Sequence, residues 1–281
     1  MNEQDKPGLL GVGRTELAEL PLTDDLGWLR LRIGKFIKGG VYLLAGQPGI
    51  GKSTLAIQLA LDLGRQGHKV LYILTEQSRE ELAQRARLIM THWPSKNVDA
   101  ALSQVQPEEG VYDIETLPSF LMHQIMSPSG KHHGTACIIV DSIQGQGLSS
   151  AATKKYRQLY EFSKQCKSAG ITVVLVANVT KRGDIAGPKD LEHNVDCVLV
   201  MRKAMAFRPL FVPKNRFGPA VLKPVPLQMD KTSTALSLAP HSDAVSTVAR
   251  SYLGRDVALP EVQAAVSLPS YGNRGRITAG V

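Results

Sequence analysis

One run of nine residues constrains this chain more than any other: Gly46-Gln47-Pro48-Gly49-Ile50-Gly51-Lys52-Ser53-Thr54. It satisfies G-x-x-x-x-G-K-[ST], the loop whose glycines let backbone N–H groups curl around a phosphate. The pattern carries weight only between a strand and a helix. Both are present: apolar Val41-Tyr42-Leu43-Leu44-Ala45 precedes it, and helical periodicity follows it. In that setting Lys52 reaches the β- and γ-phosphates and the Ser53 hydroxyl holds Mg²⁺. A helix opening at Lys52 adds its positive N-terminal dipole. All nine residues, Gly46 through Thr54, are assigned to ATP binding.

The neighbouring text sets the fold class. Apolar runs at 41–45, 70–74, 136–140, 171–177 and 197–201 have the length and continuity of strands buried on both faces of a parallel sheet. Helical patterns lie between them. After the P-loop, Leu55, Leu59 and Leu63 line one face, Gln58 and Asp62 are expected to look outward, and Gly64 to end the helix. Ser78-Arg79-Glu80-Glu81 is a capping box, followed by Leu82, Ala86 and Ile89. Thr153 to Ala169 carries Tyr156, Leu159, Tyr160 and Ser163 inward and stops at Gly170, and a further helix covers about 115–126. Strands alternating with helices predict an α/β fold, a mostly parallel sheet flanked by helices. From Gly187-Pro188 onward, 207–213, 220–229 and 234–238 read as short strands of an antiparallel edge extension. The expected organisation is an N-terminal segment (1–30), an ATPase domain (31–238), and a linker and short C-terminal tail (239–281), with 239–255 as the linker.

Bulk properties narrow the class. No apolar run approaches the ~20 residues that span a bilayer. The N-terminus lacks the charged-then-apolar order of a signal peptide, which points to the cytoplasm and away from membranes. The three cysteines, Cys137, Cys166 and Cys197, are far apart, so neither zinc nor a disulfide framework is expected. They read as small buried hydrophobes. A net charge of +8 is compatible with a phosphate-rich partner such as nucleic acid, or with a merely basic surface.

Hydrolysis needs more than a phosphate cradle. Cys137-Ile138-Ile139-Val140-Asp141 ends a buried strand in a carboxylate, the Walker B arrangement that holds Mg²⁺. Glu76 ends the strand Tyr72-Ile73-Leu74-Thr75, at the carboxyl edge where ligands of such sheets sit, and is the candidate for orienting or deprotonating water. Its alternative is an acid stabilised at a helix entry. Asn178, ending the next strand, is placed to sense the γ-phosphate. Lys181 and Arg182 follow on a loop at the same edge, as DNA contacts or as a solvated basic loop. In Lys214-Asn215-Arg216-Phe217-Gly218 two cations at i and i+2 project to one side of an extended segment. Such a pair can complete a neighbouring subunit's ATP site as a finger; the alternative is a charged hairpin tip.

With these residues in view, the chain resembles the bacterial RadA/Sms family, RecA-like ATPases of recombination and repair. The likeness covers roughly 31–230. Beyond the P-loop it rests on Leu71-Tyr72-Ile73-Leu74-Thr75-Glu76-Gln77-Ser78 and Ile139-Val140-Asp141-Ser142-Ile143-Gln144. It continues through Val179-Thr180-Lys181-Arg182-Gly183-Asp184-Ile185-Ala186-Gly187-Pro188 and closes on Lys214-Asn215-Arg216-Phe217-Gly218, the family's hallmark. The resemblance implies a RecA-like core, a homo-oligomeric ring of six, ATP at subunit interfaces, and single-stranded DNA in the pore. It implies ATP-driven branch migration or helicase-like translocation. Glu76 takes the water-activating place, and Lys214, with Arg216 as companion, is tied to ATP turnover and DNA engagement. Three departures stand out. No four-cysteine zinc module precedes the core, Asn178 stands where the family usually has His, and 259–276 resembles only the opening of the family's Lon-like domain. The tail is therefore expected to be a remnant of that domain, or the chain to be cut short. A rival reading keeps the nucleotide but not the DNA: a switch or scaffold ATPase that binds a protein partner.

Overall fold

The computed structural model describes residues 17–93, 97–109, 117–143, 152–179, 190–204, 207–218, 220–239, 247–250 and 261–264. The chain divides into two compact units, one up to Ala239 and one from Pro240.

The first unit is built on a sheet of nine strands. In chain order they are β1 (Val41–Gly46), β2 (Lys69–Leu74), β3 (Val105–Glu109), β4 (Thr135–Asp141), β5 (Thr172–Asn178), β6 (Cys197–Met201), β7 (Arg208–Asn215), β8 (Val221–Met229) and β9 (Leu236–Leu238). Across the sheet they run β3-β2-β4-β5-β1-β6-β7-β8-β9. The first six pair in parallel and β6 to β9 antiparallel. The five apolar runs form the centre of this sheet, and the antiparallel extension sits at one edge, as the sequence predicts. Strand β3 is an addition. Val-Gln-Pro-Glu-Glu lacks the apolar continuity of its neighbours because it is an edge, where proline and charge are tolerated.

The helices are α1 (Gly27–Ile33), α2 (Lys52–Arg65), α3 (Arg79–Met90), α4 (Val98–Gln104), α5 (Leu117–Met126), α6 (Ala152–Ser168) and α7 (Asp190–Asn194). They cover both faces of the sheet. Along β1, Tyr42 and Leu44 enter one core with residues of α1, α2 and α3, whereas Val41, Leu43 and Ala45 enter the other with residues of α5 and α6. Alternation along the strand thus feeds two apolar layers, so every residue of β1 is buried. The capping box at α3 is formed: Ser78 Oγ accepts from Glu81 N–H at 3.2 Å, and a Glu81 carboxylate oxygen accepts from Ser78 N–H at 2.9 Å.

Several expectations are corrected. Gln58 and Asp62 do not face solvent; both are fully buried. Helix α2 is covered on its far side as well, by α3, α4 and β9, so its polar residues serve remote partners. Gly64 lies inside α2, which continues through Arg65; a Cβ there would stand 2.6 Å from the Ala101 carbonyl oxygen, so this glycine permits α4 to approach. The chain turns one step later, at Gly67 with φ 81°. Residues before 31 also contribute to the core, since Leu20, Leu22, Leu26 and Leu29 are buried in it. In the second unit, β10 (Thr247–Arg250) pairs antiparallel with β11 (Glu261–Ala264), so part of the expected linker is a strand. Cys137, Cys166 and Cys197 are all buried, as small hydrophobes.

Candidate functional site

The P-loop leaves β1 at Gly46 and enters α2 at Lys52. Gly49 and Gly51 take φ of 74° and 110°, left-handed values that L side chains rarely adopt, and these turn the backbone back over the loop. Gly51 is also crowded: an added Cβ would stand 3.1 Å from the Met229 methyl and 3.5 Å from a Leu236 methyl. The end of β8 and the start of β9 therefore brace the loop, a contact that no sequence pattern announces. Gln47, Pro48 and Gly49 are exposed, whereas Ile50 is anchored in the core.

Lys52 is 6% exposed, and its Nζ donates to the carbonyl oxygens of Gly46 and Gln47, both at 2.9 Å. Burial lowers its pKa, and the charges of Asp141 and Glu76 oppose that shift. The ammonium thus sits inside the loop's curl with two carboxylates to hold its charge. Ser53 Oγ donates to Asp141 Oδ1 at 3.2 Å. Asp141 is 5% exposed, and its other oxygen, Oδ2, accepts the Tyr72 hydroxyl at 2.7 Å. Burial raises the Asp141 carboxyl, against the hydrogen bonds from Tyr72 and Ser53. Two hard oxygens, Ser53 Oγ and Asp141 Oδ1, face one another beside the phosphate loop, with the carboxylate plane fixed by a phenol. That donor set fits Mg²⁺. Thr54 is buried and lies under the loop, where Arg85 Nη2 approaches its hydroxyl at 3.3 Å.

The strand register places the remaining acids. Leu74 pairs with Asp141, so Glu76 emerges two residues further on, at the same edge. It is exposed, and its Oε1 accepts the Ser142 hydroxyl at 2.7 Å. Arg85 Nη1 donates to Gln77 Oε1 at 2.9 Å and secures the turn from the helix side. Asn178 pairs with Gly46 across β5 and β1, directly beside the P-loop. Lys52, Ser53, Asp141, Glu76 and Asn178 thus converge on one edge. Lys181 and Arg182 lie outside the described residues.

Lys214 and Arg216 are elsewhere. In β6, Met201 pairs with Gly46, whereas Asn215 of β7 pairs with Cys197, four residues down. At about 3.3 Å per residue Asn215 sits roughly 13 Å from the level of the P-loop along the strand direction, toward the opposite edge of the sheet. Lys214 Nζ donates to the carbonyl oxygens of Glu192 and His193 at 2.6 and 2.9 Å, at the end of α7. Burial and the Arg216 charge lower its pKa. Arg216 donates to His193 O at 3.1 Å and lies 3.3 Å from Asp196 Oδ1. Asp196 also accepts Val41 N–H at 3.0 Å and Lys167 Nζ at 2.8 Å. Both cations reach His193 O, so they do project to one side, as their spacing predicts.

Sequence reasoning missed Tyr72, Ser142, Arg85 and Asp196. Tyr72 reads as a core aromatic, and only its depth beside Asp141 reveals a donor. Ser142 follows the Walker B aspartate and carries no separate pattern.

A parallel sheet that presents a P-loop, a buried aspartate and a glutamate along one edge defines a P-loop ATPase of the RecA-like fold. The solved structure of the ATPase domain of G40P superposes with a TM-score of 0.61 over 82% of this chain and 95% of that chain, at 12% identity. A family model described as "ATPase: KaiC" matches residues 27–235, and the chain belongs to this ATPase family. Within it, the sequence groups with the RadA proteins. The DNA repair protein RadA of Chlamydia pneumoniae is 33% identical over 285 residues, 92% of this chain and 56% of the relative. RadA of Bacillus subtilis is 33% identical over 271 residues, 88% of this chain and 54% of the relative. The chain spans about half the length of these curated relatives. Among the described residues no helix is long and apolar enough to cross a membrane.

Proposed function

We propose that this chain hydrolyses ATP on single-stranded DNA, as a homo-oligomeric ring whose subunits complete one another's sites, in recombination or repair. The observation that carries it is the convergence of Lys52, Ser53, Asp141 and Glu76 at one sheet edge, with Lys214 and Arg216 at the other. In this reading the P-loop amides and Lys52 hold the phosphates, Ser53 and Asp141 hold Mg²⁺, and Glu76, steadied by Ser142, orients the attacking water. The metal supplies charge neutralisation on the phosphate oxygens. Asn178, paired with Gly46, senses the γ-phosphate in this reading, and Lys181 and Arg182 contact DNA. The distance between Lys214 and its own P-loop favours action on a neighbour's ATP.

ATP turnover with and without single-stranded DNA tests the DNA half. Turnover indifferent to DNA, with no salt-sensitive binding to it, refutes that half. Mixed subunits test the ring. Lys52→Ala and Lys214→Ala are each expected to abolish turnover, the second with nucleotide binding retained. Mixing them restores activity at about a quarter of the contacts if the residues act across a head-to-tail interface. No recovery refutes action in trans.

A further inference from the structure

Strands β6 and β7 are joined by a tight hairpin at the P-loop edge. Arg202 N–H donates to Pro209 O at 3.0 Å, and Ala204 and Phe207 exchange two backbone bonds at 3.1 and 2.7 Å. Because Met201 pairs with Gly46, the hairpin starts level with the P-loop and projects past the sheet edge. Its sequence from Arg202 to Pro209 has three cations, Arg202, Lys203 and Arg208, and no acid.

Several cations of the unit are held by acids. Arg65 pairs with Asp25 and Asp62, while Lys167 and Arg216 pair with Asp196. Among the described residues Arg202, Lys203 and Arg208 form no ion pair. Arg202 instead lies over the Phe211 ring at 5.1 Å, which stiffens it and leaves its charge exposed. Beside them Phe207 is 46% exposed. Unpaired cations beside an open aromatic face, on a hydrogen-bonded scaffold, suit a chain of phosphates carrying flat bases. An acidic protein surface would use the charges but not the ring.

We infer that this hairpin is a contact for single-stranded DNA, Phe207 stacking on a base while Arg202, Lys203 and Arg208 track the backbone. This rests on the DNA reading above and adds to it a binding element on the other side of β1 from β5. The test is anisotropy of a fluorescent oligothymidylate with the full chain, over a salt series, in the presence of ADP. Phe207→Ala is expected to weaken binding roughly 5- to 150-fold. Phe207→Trp is expected to retain affinity, with indole fluorescence quenched by DNA. Removing Arg202 and Lys203 together lowers the salt slope by about 1.4. ADP affinity and oligomeric mass stay unchanged.

Wild-type chain that binds no oligothymidylate overturns the DNA reading and this inference with it. Wild-type chain that binds, with all three variants binding equally well and with the same slope, overturns the inference alone. Loss of DNA binding together with loss of oligomeric mass also overturns it, because the hairpin is then a subunit contact.

Discussion

Gln58 offers a quantitative test of how the P-loop is braced. Its side chain is fully buried. Its Oε1 accepts Leu236 N–H at 2.9 Å, and its Nε2 donates to Leu236 O at 3.0 Å. Strand β9 is the last of the sheet, and alternate residues of an edge strand point both backbone groups outward. At Leu236 the glutamine amide meets those groups as a further strand would. Gln58→Leu keeps the volume but removes both bonds, stranding an N–H and a C=O on a residue that is 1% exposed. Each buried group left unmade costs about 1–3 kcal/mol, and part of that is relieved by shifts of the strand. The expected total is roughly 2–4 kcal/mol. For a unit of this size that lowers Tm by about 4–16 °C. Urea unfolding and thermal scans measure it, with Gln58→Glu as a comparison that keeps the acceptor, loses the donor and adds a buried charge. A loss below about 0.5 kcal/mol for Gln58→Leu, within the range of surface changes, would show that water reaches Leu236 and that the lock is not structural.

Three further outcomes follow from named contacts. Tyr72→Phe removes the phenol that fixes Asp141. It should raise the Mg²⁺ concentration needed for half-maximal nucleotide binding about 3- to 10-fold, corresponding to part of a charge-assisted bond; titrating Mg²⁺ against a fluorescent ADP reads this, and an unchanged requirement rejects the role. Gly64→Ala should destabilise the unit by about 1–3 kcal/mol despite better helix propensity, because its Cβ meets the Ala101 carbonyl; a more stable variant by urea unfolding would contradict that approach. Burial raises the Asp62 carboxyl above the ordinary carboxylate range, against its hydrogen bonds to Thr23 and the charge of Arg65. Such a group contributes most below its unfolded pKa and loses that contribution as pH rises through the folded pKa. The stability of wild type relative to Asp62→Asn should therefore fall as pH rises from the ordinary carboxylate range through the raised folded pKa, and a gap that widens with pH rejects the sign.

The parts of the fold legible in sequence were those governed by local pattern. The buried strands β1, β2, β4, β5 and β6 are continuous apolar runs, and α3 starts with a capping box that formed. The P-loop and Asp141 were legible because each lies at the end of such a run. What could not be read depended on remote partners. Gln58 and Asp62 look like an outward face until Leu236 and Thr23 are brought against them, 178 and 39 residues away. Strand β3 was invisible because an edge needs no apolar alternation, and α4 because its docking depends on Gly64. The surroundings of Arg216 come from Asp196 and Lys167, which no motif joins to it.

The separation of Lys214 and Arg216 from the P-loop has a kinetic consequence. On the proposed reading each chain carries a receiving edge and a supplying edge, so the contact between chains is head-to-tail and cannot be a two-fold dimer. An open array of such chains always leaves one terminal nucleotide unserved, whereas closure serves them all. Activity per chain would then climb with concentration and level off once the assembly closes, so that a dilution series of turnover would separate a closing ring from a chain that works alone.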